Sequence, residues 1–312
     1  MIRRFGEVIE RAVSLPDRRI AVARAEHGEV LRAVEDARRL DIASSILVGD
    51  ADAVRRELLA AGLQPAHYEI VHAPTPEEAA VTAVRLVAEG QADTLMKGML
   101  DTNVLLHAVL DHDHGLRAGR ILSHVGLVET DRYPKLLAIT DGGLVIHPDL
   151  DTKEQILRNA LDVTRALGVE TAKVAVIAAK EKATPRMPAT MDAAALATRP
   201  IPGALVAGPL AVDNAIDPAS AALKGITHPV AGDADVLLMP CIESGNVCYK
   251  TLMFLGRAQG AGLVVGGRRP MVVTSRADDE LARLNSIALA VLVGAAQAAA
   301  DAAAPPATGA DR

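Results

Sequence analysis

A chain of 312 residues, half of them hydrophobic, is long enough to bury a substantial core, either as two domains or as one large α/β unit. Its formal net charge of −6, without a basic stripe interleaved with aromatics, argues against a nucleic-acid partner. Aromatic residues make up 2% and tryptophan is absent, so the core must be built from Val, Leu, Ile and Ala, as in parallel strands covered by helices on both faces.

The basic opening Met1-Ile2-Arg3-Arg4 runs into Glu7 and Glu10, which leaves no uninterrupted apolar stretch of signal-peptide kind. Short apolar runs then alternate with helical stretches: strand 20–25, helix 29–40, strand 45–49, helix 51–61, strand 68–72, helix 77–89 and strand 94–96 are predicted. This is βαβ rhythm, the signature of parallel strands joined by right-handed crossovers. The run 105–110 reads as the end of a helix, with His112-Asp113-His114 as its polar exit. Adjacent helical residues do not share a face and no helix-borne zinc motif is present, so no metal site is expected there. Further strands are predicted at 121–128, 136–140, 173–178, 236–239 and 262–265, and helices at 153–167, 247–259 and 278–299. No segment reaches the roughly 18 uncharged apolar residues of a membrane span, and cytoplasm is the expected location. After Ala299 a low-complexity stretch leads to a tail, residues 305–312, expected to be disordered. Cys241 and Cys248 match neither a redox pair nor a zinc site, and Cys241 reads as a small buried hydrophobe or as a ligand contact from its loop.

Chemistry concentrates where two apolar strands give way to helices. In Val272-Val273-Thr274-Ser275-Arg276-Ala277-Asp278-Asp279-Glu280, a hydroxyl, a guanidinium and three carboxylates sit where a helix begins. Unpaired N–H groups at a helix start, with Ser275 and Arg276 beside them, make an anion site, and a nearby carboxylate can take a proton from a nucleophile. The plainer reading makes Ser275 an N-cap and the three acids partners of the helix dipole. The second junction is Pro240-Cys241-Ile242-Glu243-Ser244-Gly245-Asn246-Val247-Cys248-Tyr249-Lys250, after the apolar run 235–239. Both junctions are expected at the carboxyl edge of one sheet, where open α/β folds bind ligands.

Three segments give the chain a family likeness: Leu95-Met96-Lys97-Gly98, Glu243-Ser244-Gly245-Asn246 through Tyr249-Lys250, and Thr274-Ser275-Arg276. They resemble the phosphate acetyl/butyryltransferase family, in consistent order from about Asp93 to Val293, and Gly208-Pro209-Leu210-Ala211-Val212-Asp213-Asn214-Ala215 is similar to its butyryl branch. The resemblance implies an isopropylmalate dehydrogenase-like architecture: two α/β/α domains with mostly parallel sheets and an interdomain cleft, residues 1–117 with 268–304 forming the first and 118–267 the second. It also implies the reversible reaction of a short-chain acyl-CoA with phosphate to give acyl phosphate and free CoA, by direct thiolate attack in a ternary complex. Coenzyme A and phosphate are substrates, no permanently bound cofactor is expected, and the enzyme is expected to be a homodimer.

A thiol of ordinary pKa about 8.5 needs a base, the phosphate needs cations, and the developing oxyanion needs a donor. Ser275 is the expected donor, Arg276 the phosphate grip and Lys250 a point charge. Asp278 and Asp279 are the candidate bases, three and four positions after Ser275 and so brought back over the helix start. The expected substrate contacts also include Tyr249, Asn246, Gly245 and Glu243, and for each of the remaining candidates a second reading stands beside the functional one: Lys97 reads as a phosphate contact or a solvated strand end. Arg117 and Arg120 read as phosphate contacts or a basic surface turn, and Thr140 and Asp141 as site lining or a tight turn. Asp213 and Asn214, in a loop rich in Pro and Ala, read as substrate contacts or a cap for the next segment. Two positions depart from the family pattern: Ala282 stands where the acetyl branch carries its basic aspartate, and His107 where an Arg or Lys is usual. The rival readings are a non-catalytic acyl-CoA sensor and a decarboxylating dehydrogenase. The second needs clustered metal-binding aspartates and an opposed Tyr-Lys pair, whereas Tyr249 and Lys250 are adjacent.

Overall fold

The computed structural model describes residues 1–273 and 278–303. Ser275 and Arg276, and the tail expected at 305–312, lie outside the described residues. In chain order the elements are α1 (Phe5–Val13), β1 (Arg19–Ala23), α2 (Gly28–Arg39), β2 (Ser44–Gly49), α3 (Ala51–Ala60), β3 (Glu69–His72), α4 (Pro76–Ala88), β4 (Thr94–Lys97) and α5 (Thr102–Val109). Then come β5 (Ser123–Glu129), β6 (Leu137–Thr140), α6 (Leu150–Ala166), β7 (Ala172–Ile177), α7 (Pro188–Thr198), β8 (Ala204–Leu210), α8 (Val212–Ile216) and α9 (Pro218–Leu223). The chain finishes with β9 (Val236–Leu238), α10 (Ile242–Phe254), β10 (Gln259–Val265), β11 (Met271–Val272) and α11 (Glu280–Ala303).

Among the described residues the strands form one sheet in the order β3-β2-β1-β4-β11-β10-β5-β6-β9-β7-β8. Neighbours run parallel at both ends of this order, as the βαβ rhythm requires. In the middle, β11–β10, β10–β5 and β5–β6 are antiparallel. The strands of the two ends therefore run in opposite senses, which corrects the expectation that both strand-to-helix junctions share one carboxyl edge. The strand β9 leaves the sheet one way and β11 the other.

Local chemistry sets the helix starts. Thr75 and Glu78 form a capping box with Pro76 at the first turn of α4, and the Asp50 and Asp149 carboxylates accept N–H groups at the starts of α3 and α6. Helix α11 is long and apolar enough to cross a membrane by length and composition. It is instead packed in the protein, with residues 282–294 buried, and it touches β10, α1, α2 and α6. Its start is tied down by the Arg283–Glu29 ion pair at 2.7 Å. Its end runs to Ala303, past the expected stop at Ala299, because alanine favours helix and Asp301 pairs with Arg269 at 2.7 Å.

Two parts of the chain differ from the sequence expectation. The opening is the amphipathic helix α1, which buries Phe5, Val8 and Ala12. The Pro- and Ala-rich loop expected to hold Asp213 and Asn214 is helix α8, which follows strand β8. Since β8 is the last strand of the sheet, its Gly208 and Pro209 are tolerated where a central strand would reject them.

Candidate active site

The antiparallel pair β5–β10 forms the floor of the site. Register sets His124 opposite Val264, Gly126 opposite Gly262 and Val128 opposite Gly260, so these six residues share one face. Three are glycines, and the cleared space is taken by Tyr249 of α10. A Cβ at Gly126 would stand 2.7 Å from Tyr249 Cε2, and one at Gly260 would stand 2.6 Å from the Tyr249 hydroxyl. The Tyr249 ring is edge-on to His124, with centroids 6.3 Å apart and planes at 84°.

The His124 imidazole lies between Gly262 of the floor and Gly143 of the turn after β6. A Cβ on Gly262 would come 3.0 Å from Nε2, and one on Gly143 would come 2.9 Å from Cγ. Nδ1 is buried without a hydrogen-bond partner among the described residues. Burial holds the imidazole below its ordinary pKa; the Asp141 and Asp278 charges act in the raising direction and Lys250 in the lowering one. From beneath, α11 braces the floor: Ser286 Oγ accepts the Gly262 N–H at 3.0 Å, and Asn285 Nδ2 donates to the Gly260 carbonyl at 3.4 Å.

Thr140 and Asp141 are buried and serve as the frame of this wall. Thr140 Oγ1 donates to the His124 carbonyl at 2.7 Å. The Asp141 carboxylate accepts N–H groups from His124 at 2.8 Å, Gly143 at 2.7 Å, Leu144 at 2.8 Å and Val145 at 3.3 Å. Against this turn stands the first part of α10. Gly245 packs so closely that a Cβ there would lie 2.2 Å from the Asp141 carbonyl oxygen, and Asn246 Nδ2 donates to the Gly142 carbonyl at 3.0 Å. Glu243 is exposed, 3.9 Å from His147, and Lys250 is exposed with its ammonium 6.0 Å from the Phe254 ring centroid. Burial raises the Tyr249 phenol, with the Asp278 and Asp279 charges adding to the shift, so the hydroxyl stays protonated at neutral pH.

Of the two candidate bases, Asp279 is committed to structure: its Oδ1 accepts the Ala282 N–H at 2.8 Å, capping α11. Asp278 is half-buried, and its charge is felt by both His124 and Tyr249. Ala282 itself is buried, at 3% exposure. The structure thus brings Tyr249, Lys250, Thr140, Asp141 and Asp278 around the His124 imidazole, which the sequence reading had taken only as part of a strand, with Gly245 and Asn246 packed on the Asp141 turn, while Glu243 points to His147.

The other expected contacts sit elsewhere. Lys97 lines a cleft of about 480 Å³ at the ends of β1 and β4, beside Arg283, Glu29 and His27; its ammonium also donates to the Leu100 carbonyl at 3.1 Å. A second groove, about 460 Å³, adjoins that cleft through the shared Glu77 and Val104, and His107 lies on it. Arg117 and Arg120 line a separate hollow with Leu144 and Gln155, where Arg120 pairs with Asp162. Asn214 is buried at the start of α8 and donates to Glu181 Oε1 at 2.6 Å, alongside Asp213. His112 pairs with Asp113 at 3.5 Å, and Asp111 caps the turn beneath them.

The sequence profile of the phosphate acetyl/butaryl transferase family matches residues 71–291, a span that takes in the glycine-cleared floor, α10 and the first half of α11. The chain belongs to this family. A phosphate butyryltransferase of Clostridium acetobutylicum is 44% identical over 297 residues, 94% of this chain and 99% of that one. A phosphate acetyltransferase of Thermotoga maritima is 39% identical over 282 residues, 88% of this chain and 95% of that one. The solved structure of a branched-chain phosphotransacylase from Enterococcus faecalis superposes with a TM-score of 0.80 at 31% identity, covering 89% of this chain and 99% of that one. As a member of the family the protein is an acyltransferase, and the readings as a dehydrogenase or as a non-catalytic sensor are not favoured.

Proposed function

We propose that the protein converts a short-chain acyl-CoA and inorganic phosphate into acyl phosphate and CoA, reversibly and without an acyl-enzyme. The observation that carries this reading is the convergence of two junctions, α10 with Tyr249 and Lys250 and the start of α11 with Asp278, on the glycine-cleared floor around His124. Lys250 supplies a cation for the phosphates, and the closed backbone turn at Asp141–Gly143 fixes the wall against which the acyl group turns over. Ser275 and Arg276, in the stretch between Val273 and Asp278, are assigned the oxyanion donor and the phosphate grip on their residue types and position in the sequence. Asp278 is assigned the proton path, because its charge acts on both His124 and Tyr249.

Two domains, 1–117 with 268–304 and 118–267, support a cleft at this floor. The reversal of strand sense at β10 and β5 favours that division, as does the bridge between Arg117 and Gly267, which sets the two chain crossings side by side. Lys97 with Arg283 on one side, and Arg117 with Arg120 on the other, are assigned to the CoA phosphates. Asp213 and Asn214 are assigned to the far end of the cleft. The relatives named for butyryl, acetyl and branched-chain transfer agree with an acyl group of two to about five carbons. A cytoplasmic homodimer, as the family resemblance implies, completes the proposal.

Incubation with butyryl-CoA and phosphate, following both free thiol and hydroxylamine-trapped acyl phosphate, tests the activity. Equal release of the two, dependent on phosphate, is the expected result. Thiol release without phosphate dependence would mean simple hydrolysis and end the proposal.

A further inference from the structure

Ala282 is buried in α11 and carries no ionisable group, and the Asp279 carboxylate is taken up as a helix cap. The proton of the CoA thiol still has to go somewhere. One ionisable ring on the floor of the site has no structural task of its own: the His124 backbone is held through its N–H by Asp141 and through its carbonyl by Thr140, while Nδ1 of its side chain is buried without a partner.

The surroundings of this ring are shaped for it. Gly143 and Gly262 leave room on two sides that any side chain would close, and Tyr249 holds the ring by its edge. Nε2 lies over Gly262, and sheet register carries that direction onward: Leu263 of β10 pairs with Val272, the last residue of β11. The imidazole therefore reaches across the glycine gap toward the strand end that precedes Thr274-Ser275-Arg276 in the sequence. Among the described residues, the charged and titratable groups around it are Asp141 from the turn after β6, Tyr249 and Lys250 from α10, and Asp278 from the start of α11.

We infer that His124 is the group that accepts the proton of the CoA thiol, with Asp278 stabilising the imidazolium it becomes. The inference rests on the acyltransferase reading above and adds a residue to it. In the step, the S–H bond breaks and its proton passes to the neutral imidazole. The thiolate forms a bond to the carbonyl carbon of the acyl phosphate, the carbon–oxygen bond to phosphorus breaks, and phosphate leaves with the electron pair. The imidazolium then returns its proton to phosphate or solvent. Two features suit the ring to this work: it is neutral at physiological pH, as a base must be, and the carboxylate of Asp278 favours the charged form as it appears.

The test begins with the wild type and butyryl phosphate plus CoA. If no thiol is consumed, the acyltransferase reading itself fails and the inference with it. With activity in hand, the rate should be flat between pH 7 and 8, since the reacting species is the neutral thiol with a neutral base. A rate that instead climbs tenfold per pH unit toward the thiol pKa of about 8.5 shows that CoA arrives ionised, and overturns the role even if no variant folds. His124→Gln and His124→Ala, checked for folding by circular dichroism, should lose at least about a hundredfold in kcat at pH 7 with the KM for CoA within about threefold. Their deficit should shrink as pH rises toward 9, and added imidazole should restore part of the rate to His124→Ala. A loss equal at every pH and untouched by imidazole would make His124 a packing residue, and a loss under threefold would remove it from the mechanism.

Discussion

The Asp279 carboxylate accepts the Ala282 N–H at 2.8 Å, and this one bond separates two neighbouring acids by task. An N-cap of this kind stabilises a helix by about 1 kcal/mol. Asp279→Ala should therefore lower the melting temperature while leaving turnover within a few-fold of the wild type. Asp278→Asn should do the reverse, with an unchanged melting temperature and a turnover loss of more than about tenfold, equivalent to roughly 1.4 kcal/mol. Parallel thermal scans and initial rates on the two variants decide the matter; an inactive Asp279→Ala beside a fully active Asp278→Asn would invert the assignment.

Arg276 is assigned to phosphate. A hydrogen bond to a charged group in a shielded site is worth roughly 1.5 to 3 kcal/mol, so Arg276→Ala should raise the phosphate KM and lower turnover by about ten- to a hundredfold. Arg276→Lys should recover only part, because an ammonium lacks the planar fork. Wild-type phosphate kinetics in a folded Arg276→Ala would remove the residue from the site.

Acyl preference follows from buried methylene groups. Each is worth up to about 0.8 kcal/mol, so butyryl-CoA should be preferred over acetyl-CoA by a few-fold or more. Specificity constants across acetyl-, propionyl-, butyryl- and valeryl-CoA measure it, and an acetyl optimum is the contrary result.

Gly245 permits the backbone of α10 to touch that of the Asp141 turn. A methyl group there would stand 2.2 Å from a carbonyl oxygen that Gly142 and its neighbours hold in place. Gly245→Ala should cost at least about 1 to 3 kcal/mol and displace Tyr249 and Lys250 along with their helix. Chemical denaturation and kcat should fall together; a variant with unchanged stability would show that the close approach is dispensable.

Glu35 ties stability to acid. Its buried carboxylate accepts from Arg38 at 2.8 Å, Arg39 at 2.7 Å and the Tyr68 hydroxyl at 2.6 Å. The Arg38 hydrogen bond is the largest cause that lowers its pKa from 4.5 to about 2. A carboxylate held down in the folded state stabilises the protein above its unfolded pKa, and that contribution disappears as pH drops from about 4.5 through 2. It amounts to roughly 3 kcal/mol at neutral pH. Urea unfolding of Glu35→Gln should show this deficit at pH 7 and a much smaller one near pH 2.5. A constant deficit would point to packing rather than charge.

The alternation of strands and helices was legible because strands buried on both faces must be apolar and helices between them must not be. Where the reading failed, tertiary context had overruled a local rule. Gly208 and Pro209 signal a loop, yet an edge strand accepts them. Asp141 looks like site lining beside a turn, and only the folded chain shows four backbone N–H groups converging on its carboxylate. His124 was passed over as one polar residue in a strand. A signal was present: His124-Val125-Gly126 sets a glycine two positions after the histidine, and Gly260-Ala261-Gly262 places glycine at alternate positions, which describes a strand face cleared of side chains.

The pairing of β5 with β10 joins residues 123–129 to residues 259–265, and α11, the last element described, fills the core beneath them. On a ribosome, the strands from β1 to β5 emerge long before their central neighbours exist. Until residues 259–303 are made, β4 and β5 each present an unpaired edge, and the apolar residues that α11 covers stand open to water. A nascent chain of this topology depends on protection through most of its synthesis. A stop codon ahead of β10 would therefore disable the early half of the protein as fully as the late half, and would leave an aggregation-prone fragment in place of a smaller folded unit.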